Sequence, residues 1–192
     1  MKIFFTASSR GTQFYIHYYK EIYDEIEKQH HIHIDHDLFE LNRKEFYQSL
    51  EEKGAKASKE FASRKMSVLR RADICIFEVS MQSTSVGYLI SKSLENHKPT
   101  IVLYLPDNIP YFLCGIEHEK LTVCEYEEHT LRKVLKKAIE LASEKRDQRF
   151  NFFINTQLLY YLEDIAEKSN VSKSLYIRKL LESDMKKASH GL

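Results

Sequence analysis

The sequence predicts an α/β fold, in which a parallel sheet of five strands is flanked by helices and followed by a short C-terminal segment. Short apolar runs alternate with helical stretches over residues 1–145, as they do in parallel sheets. Two of the runs, DICIFEV (73–79) and TIVLYL (100–105), are mostly apolar on both faces, which is typical of strands covered by helices on both sides. After residue 148 the pattern changes to one alternating strand and two helices.

The elements of the sheet domain follow in order along residues 1–145. Five strands are predicted, at residues 2–6, 32–37, 73–79, 100–105 and 121–125. Helical spacing of apolar residues predicts helices after the first strand (Tyr15, Tyr18, Tyr19, Ile22 and Ile26), at 43–71 in two pieces around Gly54, at 86–96 and at 130–144. This order predicts a flavodoxin-like domain that binds its ligand at the carboxyl ends of the strands.

Composition narrows the class of protein. Apolar residues make up 43% of the chain and charged residues 30%, a balance that argues against a disordered protein. Because no stretch approaches 18 consecutive apolar residues, we expect no membrane-spanning helix, and the N-terminal apolar run is too short for a secretory signal. The three cysteines, Cys75, Cys114 and Cys124, lack CxxC spacing. They predict reduced thiols in the cytoplasm and no zinc site.

The C-terminal residues 149–187 predict one strand and two helices that need a second copy of the chain. Residues 149–155 (RFNFFIN) alternate, residues 156–169 carry leucines at helical spacing, and Ser172 is a predicted N-cap of a second helix. A segment of about 40 residues cannot bury a core by itself. The pattern resembles the ribbon-helix-helix repressors and antitoxins over the whole tail. That resemblance implies a dimer in which two strands form an antiparallel ribbon.

The resemblance also implies a way of binding DNA. In that family the ribbon enters the major groove, and alternate strand side chains contact base edges. By position these side chains are Arg149, Asn151 and Phe153. Arg suits guanine and Asn suits adenine, whereas Phe153 departs from the usual polar residue and suits a thymine methyl group. The start of the second helix, at Ser172, Lys173 and Ser174, is expected to hold a DNA phosphate.

Charge leaves a second interpretation of the tail open. The net charge of the chain is +1, and residues 145–192 carry nine Lys or Arg against six Asp or Glu. This excess is mild, and a solvated helix surface explains it as well as a nucleic-acid partner does. A tail that dimerises without binding DNA is therefore the alternative.

Three segments of the N-terminal part resemble the family of nucleoside 2-deoxyribosyltransferases and deoxynucleoside-monophosphate N-glycosidases. They are FFTASSRG (4–11), IDHD (34–37) and LRRADICIFEVSMQSTSVGY (69–88). Members of that family cleave an N-glycosidic bond with a Glu that attacks the anomeric carbon, an Asp that helps to handle the base and a Tyr that orients the Glu. A carboxylate nucleophile is needed because it traps the developing oxocarbenium ion as an ester.

All three reactive positions differ in this sequence. Leu89 stands where the resemblance places the Glu, Lys65 where it places the Asp, and Phe4 where it places the Tyr. None of these side chains supplies the lost group. The sequence therefore predicts a site without catalytic residues, which no longer performs this reaction.

The positions that hold sugar and phosphate in the family are better kept. The resemblance assigns nucleotide binding to six residues: Ser8, Arg10, Gly11, His36, Ser83 and Gly87. Hydroxyl groups, a guanidinium group and the free N–H groups at a helix start suit a phosphate. The alternative is that the serines only form turns and helix caps.

Two further groups have weaker claims to a function. HHIHIDHD (30–37) contains potential metal ligands, but alternation places His31, His33, Asp35 and Asp37 on one face of a strand. A solvated or edge strand surface is the preferred interpretation, and no metal site is predicted. Glu78 is a candidate displaced nucleophile, although such a residue more often anchors a loop.

Together these observations predict a cytoplasmic, dimeric DNA-binding regulator, in which residues 1–145 form an inactive, nucleotide-sensing domain and residues 149–187 form the ribbon-helix-helix domain. No cofactor and no membrane partner are expected. The first alternative is a divergent N-glycosidase or deoxyribosyltransferase that uses Glu78 and oligomerises through its tail. The second is an antitoxin-like protein whose N-terminal domain binds a protein partner.

Overall fold

The protein forms two compact units, Met1–Asp147 and Gln148–Leu192. The computed structural model describes residues 1–40, 43–146, 152–169 and 171–189. The first unit contains a sheet with its flanking helices, and the second contains two helices. Within the described ranges, no helix has the length and apolar character needed to cross a membrane.

Strands and helices alternate along the first unit. Its strands are β1 (Lys2–Ala7), β2 (Ile32–His33), β3 (Ile74–Glu78), β4 (Thr100–Tyr104) and β5 (Leu121–Glu125). Its helices are α1 (Thr12–Lys28), α2 (Asp37–Glu40), α3 (Arg43–Arg71), α4 (Thr84–Glu95), α5 (Tyr111–Cys114) and α6 (Leu131–Glu144). The helix predicted at 86–96 begins earlier, because Ser83 caps it.

The five strands form one parallel sheet in the order β2-β1-β3-β4-β5, which confirms the predicted α/β, flavodoxin-like class. From β1 the chain crosses to β2 on one side, and from β3 it crosses to β4 on the other. The direction of winding therefore reverses between β1 and β3. Such a reversal leaves a crevice at the carboxyl ends of the two strands, where ligands of these sheets bind.

Each face of the sheet has its own apolar core. Alternation along β1 sends Phe5 towards α1 and α6, and sends Phe4 towards α3 and α4. The same alternation along β3 places Ile76 on the α1 and α6 face and Phe77 on the other. Because β1 and β3 are buried on both faces, they read as continuous apolar runs in the sequence.

Helix α3 folds back on itself at Gly54. This glycine has φ 57° and ψ −140°, a backbone conformation that residues other than glycine rarely adopt. Phe46 and Phe61 lie on either side of it, with their ring centroids 4.6 Å apart. A straight helix would separate the two residues by roughly 22 Å. The predicted division of 43–71 at Gly54 therefore produces a helical hairpin.

The predicted strand at 32–37 is too long. It lies at the edge of the sheet, which is one of the two alternatives predicted for it, but its polar face is not solvated. β2 ends at His33, and α2 begins at Asp37. His33 and Asp35 are buried, whereas Ile32 is 61% exposed. The reason is that the polar face is covered: the His33 ring stacks on Tyr23 of α1 at 3.5 Å between centroids, and Asp35 pairs with Lys65 of α3.

The second unit contains α7 (Thr156–Lys168) and α8 (Lys173–Ser189), which pack against each other. The Asn155 side chain caps α7 by accepting from the Leu158 N–H at 2.8 Å, and Ser172 caps α8 by accepting from the Leu175 N–H at 3.2 Å. Much of the predicted ribbon strand at 149–155 lies outside the described residues, and residues 152–155 are irregular in the single chain. A ribbon strand draws its hydrogen bonds from a second copy, so its existence stays a prediction.

Candidate functional site

A cavity of about 500 Å³ lies at the reversal between β1 and β3. Residues 6–10, at the end of β1 and in the turn after it, line one side, and residues 83–86 at the start of α4 line another. Helices α2 and α3 close the remaining sides, and Asp37, Phe46, Phe61 and Lys65 are their main contributions. The cavity therefore occupies the place where a sheet of this order binds ligands.

Two helix starts meet at this cavity. A 3-10 turn, Ser9–Gly11, leads directly into α1, and Ser83 caps α4 by accepting from the Val86 N–H at 3.4 Å. The Ser8 side chain makes no capping hydrogen bond and lines the cavity. The Arg10 guanidinium reaches across to the Gln82 carbonyl at 3.4 Å. Unused helix N–H groups, hydroxyls and a guanidinium are the groups that hold a phosphate.

The six residues predicted to bind a nucleotide divide into two groups. Ser8, Arg10 and Ser83 line the cavity. Gly11, Gly87 and His36 are not among its described lining residues. His36 instead bonds the Tyr23 hydroxyl through Nδ1 at 2.6 Å, and the Gly87 N–H bonds the Ser83 carbonyl.

Two of the three positions at which the sequence departs from the deoxyribosyltransferase pattern line this same cavity. Leu89 and Lys65 line it, and the Lys65 Nζ lies 5.8 Å from the centroid of the buried Phe4 ring. Asp37 is the one carboxylate among the described lining residues. The cavity thus has an apolar side chain and a cation where the resemblance would place two acids.

A buried charge cluster adjoins the cavity through Asp37 and Lys65, and sequence reasoning missed it. The Lys65 ammonium contacts Asp35, and it lies 2.9 Å from Asp37 Oδ2. Arg64 donates to Asp37 Oδ1 at 2.8 Å. Lys65 and Asp35 expose 8% and 2% of their side chains, so this is a true interior ion pair. No local signal marks it, because its members lie about thirty positions apart.

The pKa values of the two acids of the cluster are shifted in opposite directions. Burial raises the pKa of Asp35, and the neighbouring Lys65 offsets only part of this rise. Burial would also raise the pKa of Asp37, but its contacts with Arg64 and Lys65 outweigh burial and hold it below its usual value. Asp37 is therefore a stable anion paired with two cations, which makes it a weak nucleophile.

Glu78 faces the opposite side of the sheet from the cavity. It is completely buried at the end of β3, where it accepts hydrogen bonds from the Ser80 N–H at 3.1 Å and the Tyr126 hydroxyl at 3.2 Å. Burial raises its pKa, and these hydrogen bonds offset only part of the rise. Glu78 is not among the described residues that line the cavity. In this arrangement it anchors loops and has no access to a ligand there.

The tail residues predicted to contact DNA are only partly described. Arg149 and Asn151 lie outside the described residues. Phe153 is fully exposed, and Lys173, next to the Ser172 cap, pairs with Glu163 of α7 at 2.7 Å. Ser174 lies in the first turn of α8 and is exposed. The predicted N-cap at Ser172 is confirmed.

The described part of the chain contains no group of three His, Cys, Asp or Glu side chains that could hold a metal ion.

Comparison with known proteins gives no family: no protein-family model matches this chain, and no curated protein matches it either. A proposal for the function therefore rests on the geometry of the cavity and on the sequence pattern of the tail.

Proposed function

We propose that this chain is a dimeric DNA-binding regulator whose first unit binds a nucleotide without cleaving it. One observation carries the proposal: the cavity at the sheet reversal keeps phosphate-binding groups at Ser8, Arg10 and Ser83 but has Leu89 and Lys65 in place of reactive acids. A site that binds and does not react is suited to sensing.

The phosphate end of the ligand belongs at the two helix starts. The N-terminal N–H groups of a helix carry partial positive charge, and two helices meeting at one point add their effects. Arg10 supplies a full charge there, and its present partner, the Gln82 carbonyl, is neutral and 3.4 Å away. Exchanging this partner for a phosphate costs little and gains a charge-assisted hydrogen bond.

The absence of cleavage rests on where the carboxylates lie. Asp37 is bound to Arg64 and Lys65, and Glu78 is buried on the far face of the sheet. Using either group as a nucleophile requires breaking an ion pair or carrying a side chain through the sheet. The positions of these two carboxylates therefore argue against the enzyme alternative.

The regulatory half of the proposal rests on the tail. Its helices expose large apolar side chains that a second copy would cover, and the sequence before them holds the alternating strand typical of a ribbon. No Gly/Ser-rich linker precedes residue 149. Binding of a nucleotide in the first unit is therefore expected to change DNA affinity, by about 5- to 150-fold for a typical coupling of 1–3 kcal/mol.

Replacing Arg10 with alanine is expected to weaken nucleotide binding about 10- to 150-fold, because one charge-assisted hydrogen bond to phosphate is lost. Titration calorimetry with deoxynucleosides and their mono-, di- and triphosphates measures this. Arg132→Ala is the matched control, since Arg132 is exposed and pairs with Glu21 of α1. Equal loss in both variants, or binding of unphosphorylated nucleosides alone, would contradict a phosphate site. Release of free base in the same mixtures would establish the enzyme alternative.

Replacing Arg149 with alanine is expected to cost about 1–3 kcal/mol of binding at a specific DNA site and to relax its base preference. The site is first selected from a genomic fragment library, and affinity is then measured at several salt concentrations. Binding through phosphates should weaken as salt rises. A library that shows no enriched sequence would leave dimerisation as the role of the tail, and capture of a specific protein in its place would favour the antitoxin-like alternative.

A further inference from the structure

The turn that lines the cavity rests on a tyrosine hydroxyl. Gly11 ends this turn, and a Cβ atom built on it would lie 2.1 Å from the Tyr19 hydroxyl oxygen and 2.9 Å from Met81 Cβ. The φ of Gly11 is −70°, which any residue adopts. Glycine is therefore required here because of close approach, not because of backbone conformation. The backbone of the turn and the hydroxyl of Tyr19 are in direct contact.

Tyr19 belongs to a buried network centred on Glu78. Glu78 Oε1 accepts from the Ser80 N–H, the Ser80 hydroxyl and the Tyr126 hydroxyl. The Ser80 hydroxyl oxygen in turn accepts from the Leu105 N–H at 2.9 Å. The network thus links the ends of β3 and β4 and the segment before α6. Tyr19 brings α1 to the same carboxyl group.

Two buried oxygen atoms of this network, Glu78 Oε2 and the Tyr19 hydroxyl, lack a hydrogen bond of standard geometry within the described residues. The two groups interact, and the titratable side chains that face Glu78 are Tyr19 from α1 and Tyr126 from the segment before α6. The Tyr19 hydroxyl has a proton to donate, and Glu78 Oε2 is an acceptor. Burial raises the pKa of Glu78, and the interaction with Tyr19 offsets part of this rise.

We propose that Tyr19 and Glu78 are positioning residues for the nucleotide site: the Tyr19 hydroxyl is held next to the buried Glu78 carboxyl and supports the Ser9–Gly11 turn from behind. The role of the turn in holding a ligand rests on the proposed function, whereas the contact itself does not. Without the hydroxyl, the turn loses the group against which its backbone packs.

The contact is tested first without any ligand. Gly11→Ala is expected to lower the melting temperature by several degrees, because the new methyl group overlaps the Tyr19 hydroxyl. Tyr19→Phe removes that oxygen, so the double variant should regain part of the loss, and Met81 limits the recovery. Strong non-additivity of this kind is the signature of direct contact. Additive losses in the double variant would overturn the proposal, whether or not a nucleotide binds.

The burial of Glu78 in this network is tested with Glu78→Gln, whose amide is neutral at every pH. A raised pKa in the folded state gives stability that is present below the unfolded pKa and is lost as pH rises through the folded pKa. The wild type should therefore lose stability relative to Glu78→Gln as pH rises above the ordinary pKa of a glutamic acid. Identical pH profiles for the two proteins would show that the carboxyl is not enclosed beside Tyr19, which would overturn the role of Glu78.

The effect on the site is measured with deoxynucleoside monophosphates as probes. Tyr19→Phe is expected to weaken their binding about 5- to 10-fold, because the turn loses the hydroxyl that supports it. A purely structural role would lower the melting temperature and leave affinity unchanged, which would overturn the proposal. If the wild type binds none of the probes, the proposed function fails, and the two stability experiments still decide whether Glu78 and Tyr19 support the turn.

Discussion

Replacing Lys65 with methionine is expected to lower the free energy of unfolding by about 3–5 kcal/mol at neutral pH. Methionine keeps the length of the side chain and removes its charge. Asp37 retains Arg64 as a partner, but Asp35 exposes 2% of its side chain and is left without the cation that pairs with it. A buried carboxylate without a partner is costly, because the interior does not replace the water that it loses. Denaturant unfolding measures the change.

The pH dependence identifies the cause. Without Lys65 the pKa of Asp35, already raised by burial, rises further, since the cation that lowers it is gone. The cost of Lys65→Met should then shrink below the unfolded pKa of Asp, where the carboxyl is protonated in both states. A second change, Asp35→Leu, should recover part of the loss at neutral pH, because apolar groups replace a buried ion pair well.

Lys168→Met is the control for a lost charge as such. Lys168 pairs with Asp164 one turn away at 2.7 Å, and both side chains are more than half exposed. Exposed pairs of this kind contribute little, so a change of less than about 0.5 kcal/mol is expected. Equal losses in Lys65→Met and Lys168→Met would show that Lys65 is not enclosed between the two carboxylates.

The buried charge cluster also illustrates which parts of the site can be predicted from the sequence. The sheet order and the position of the cavity follow from local patterns, since apolar runs set the strands and their carboxyl ends set the crevice. The charge cluster depends on distant side chains: Lys65 meets Asp35 only after β2 and α3 have packed. Alternation places Asp35 on a strand face but does not say whether another element covers that face. For this reason the sequence leaves a solvated face open for β2, whereas in the structure His33 and Asp35 are buried.

The glycine and histidine assignments have a similar explanation. A sequence motif indicates which residues lie near a ligand site. It does not distinguish a residue that contacts the ligand from one that only supports a residue that does. Gly11 allows the turn to approach the Tyr19 hydroxyl closely, and His36 is bonded to Tyr23. Ser8, Arg10 and Ser83 face the cavity because they stand at the end of a strand or at the start of a helix, which local sequence does reveal.

Removing residues 147–192 is expected to convert a dimer into a monomer, which sedimentation equilibrium measures directly. Among the described residues of the second unit, Ala166 is the one buried apolar side chain. Its large apolar residues are mostly exposed, including Phe153, Leu158, Leu180 and Leu181. Each such Leu side chain that a partner covers contributes about 1.5–3 kcal/mol to association. The first unit has its own two cores and should keep its melting temperature.

A point variant tests whether dimerisation depends on apolar contacts of the tail helices or only on the presence of the tail. Leu181 is 64% exposed in the single chain, so Leu181→Asp should cost a monomer almost nothing. In a dimer the same change buries a charge at the contact between copies and should weaken association by several kcal/mol, or more than a hundredfold. Lys187→Asp on the same helix is the control, because it adds the same acid at an exposed charged position. A dimer that survives Leu181→Asp but not the truncation would place the contact in the residues before α8. A full-length chain that is monomeric at micromolar concentration would exclude the ribbon, and with it the proposed mode of binding DNA.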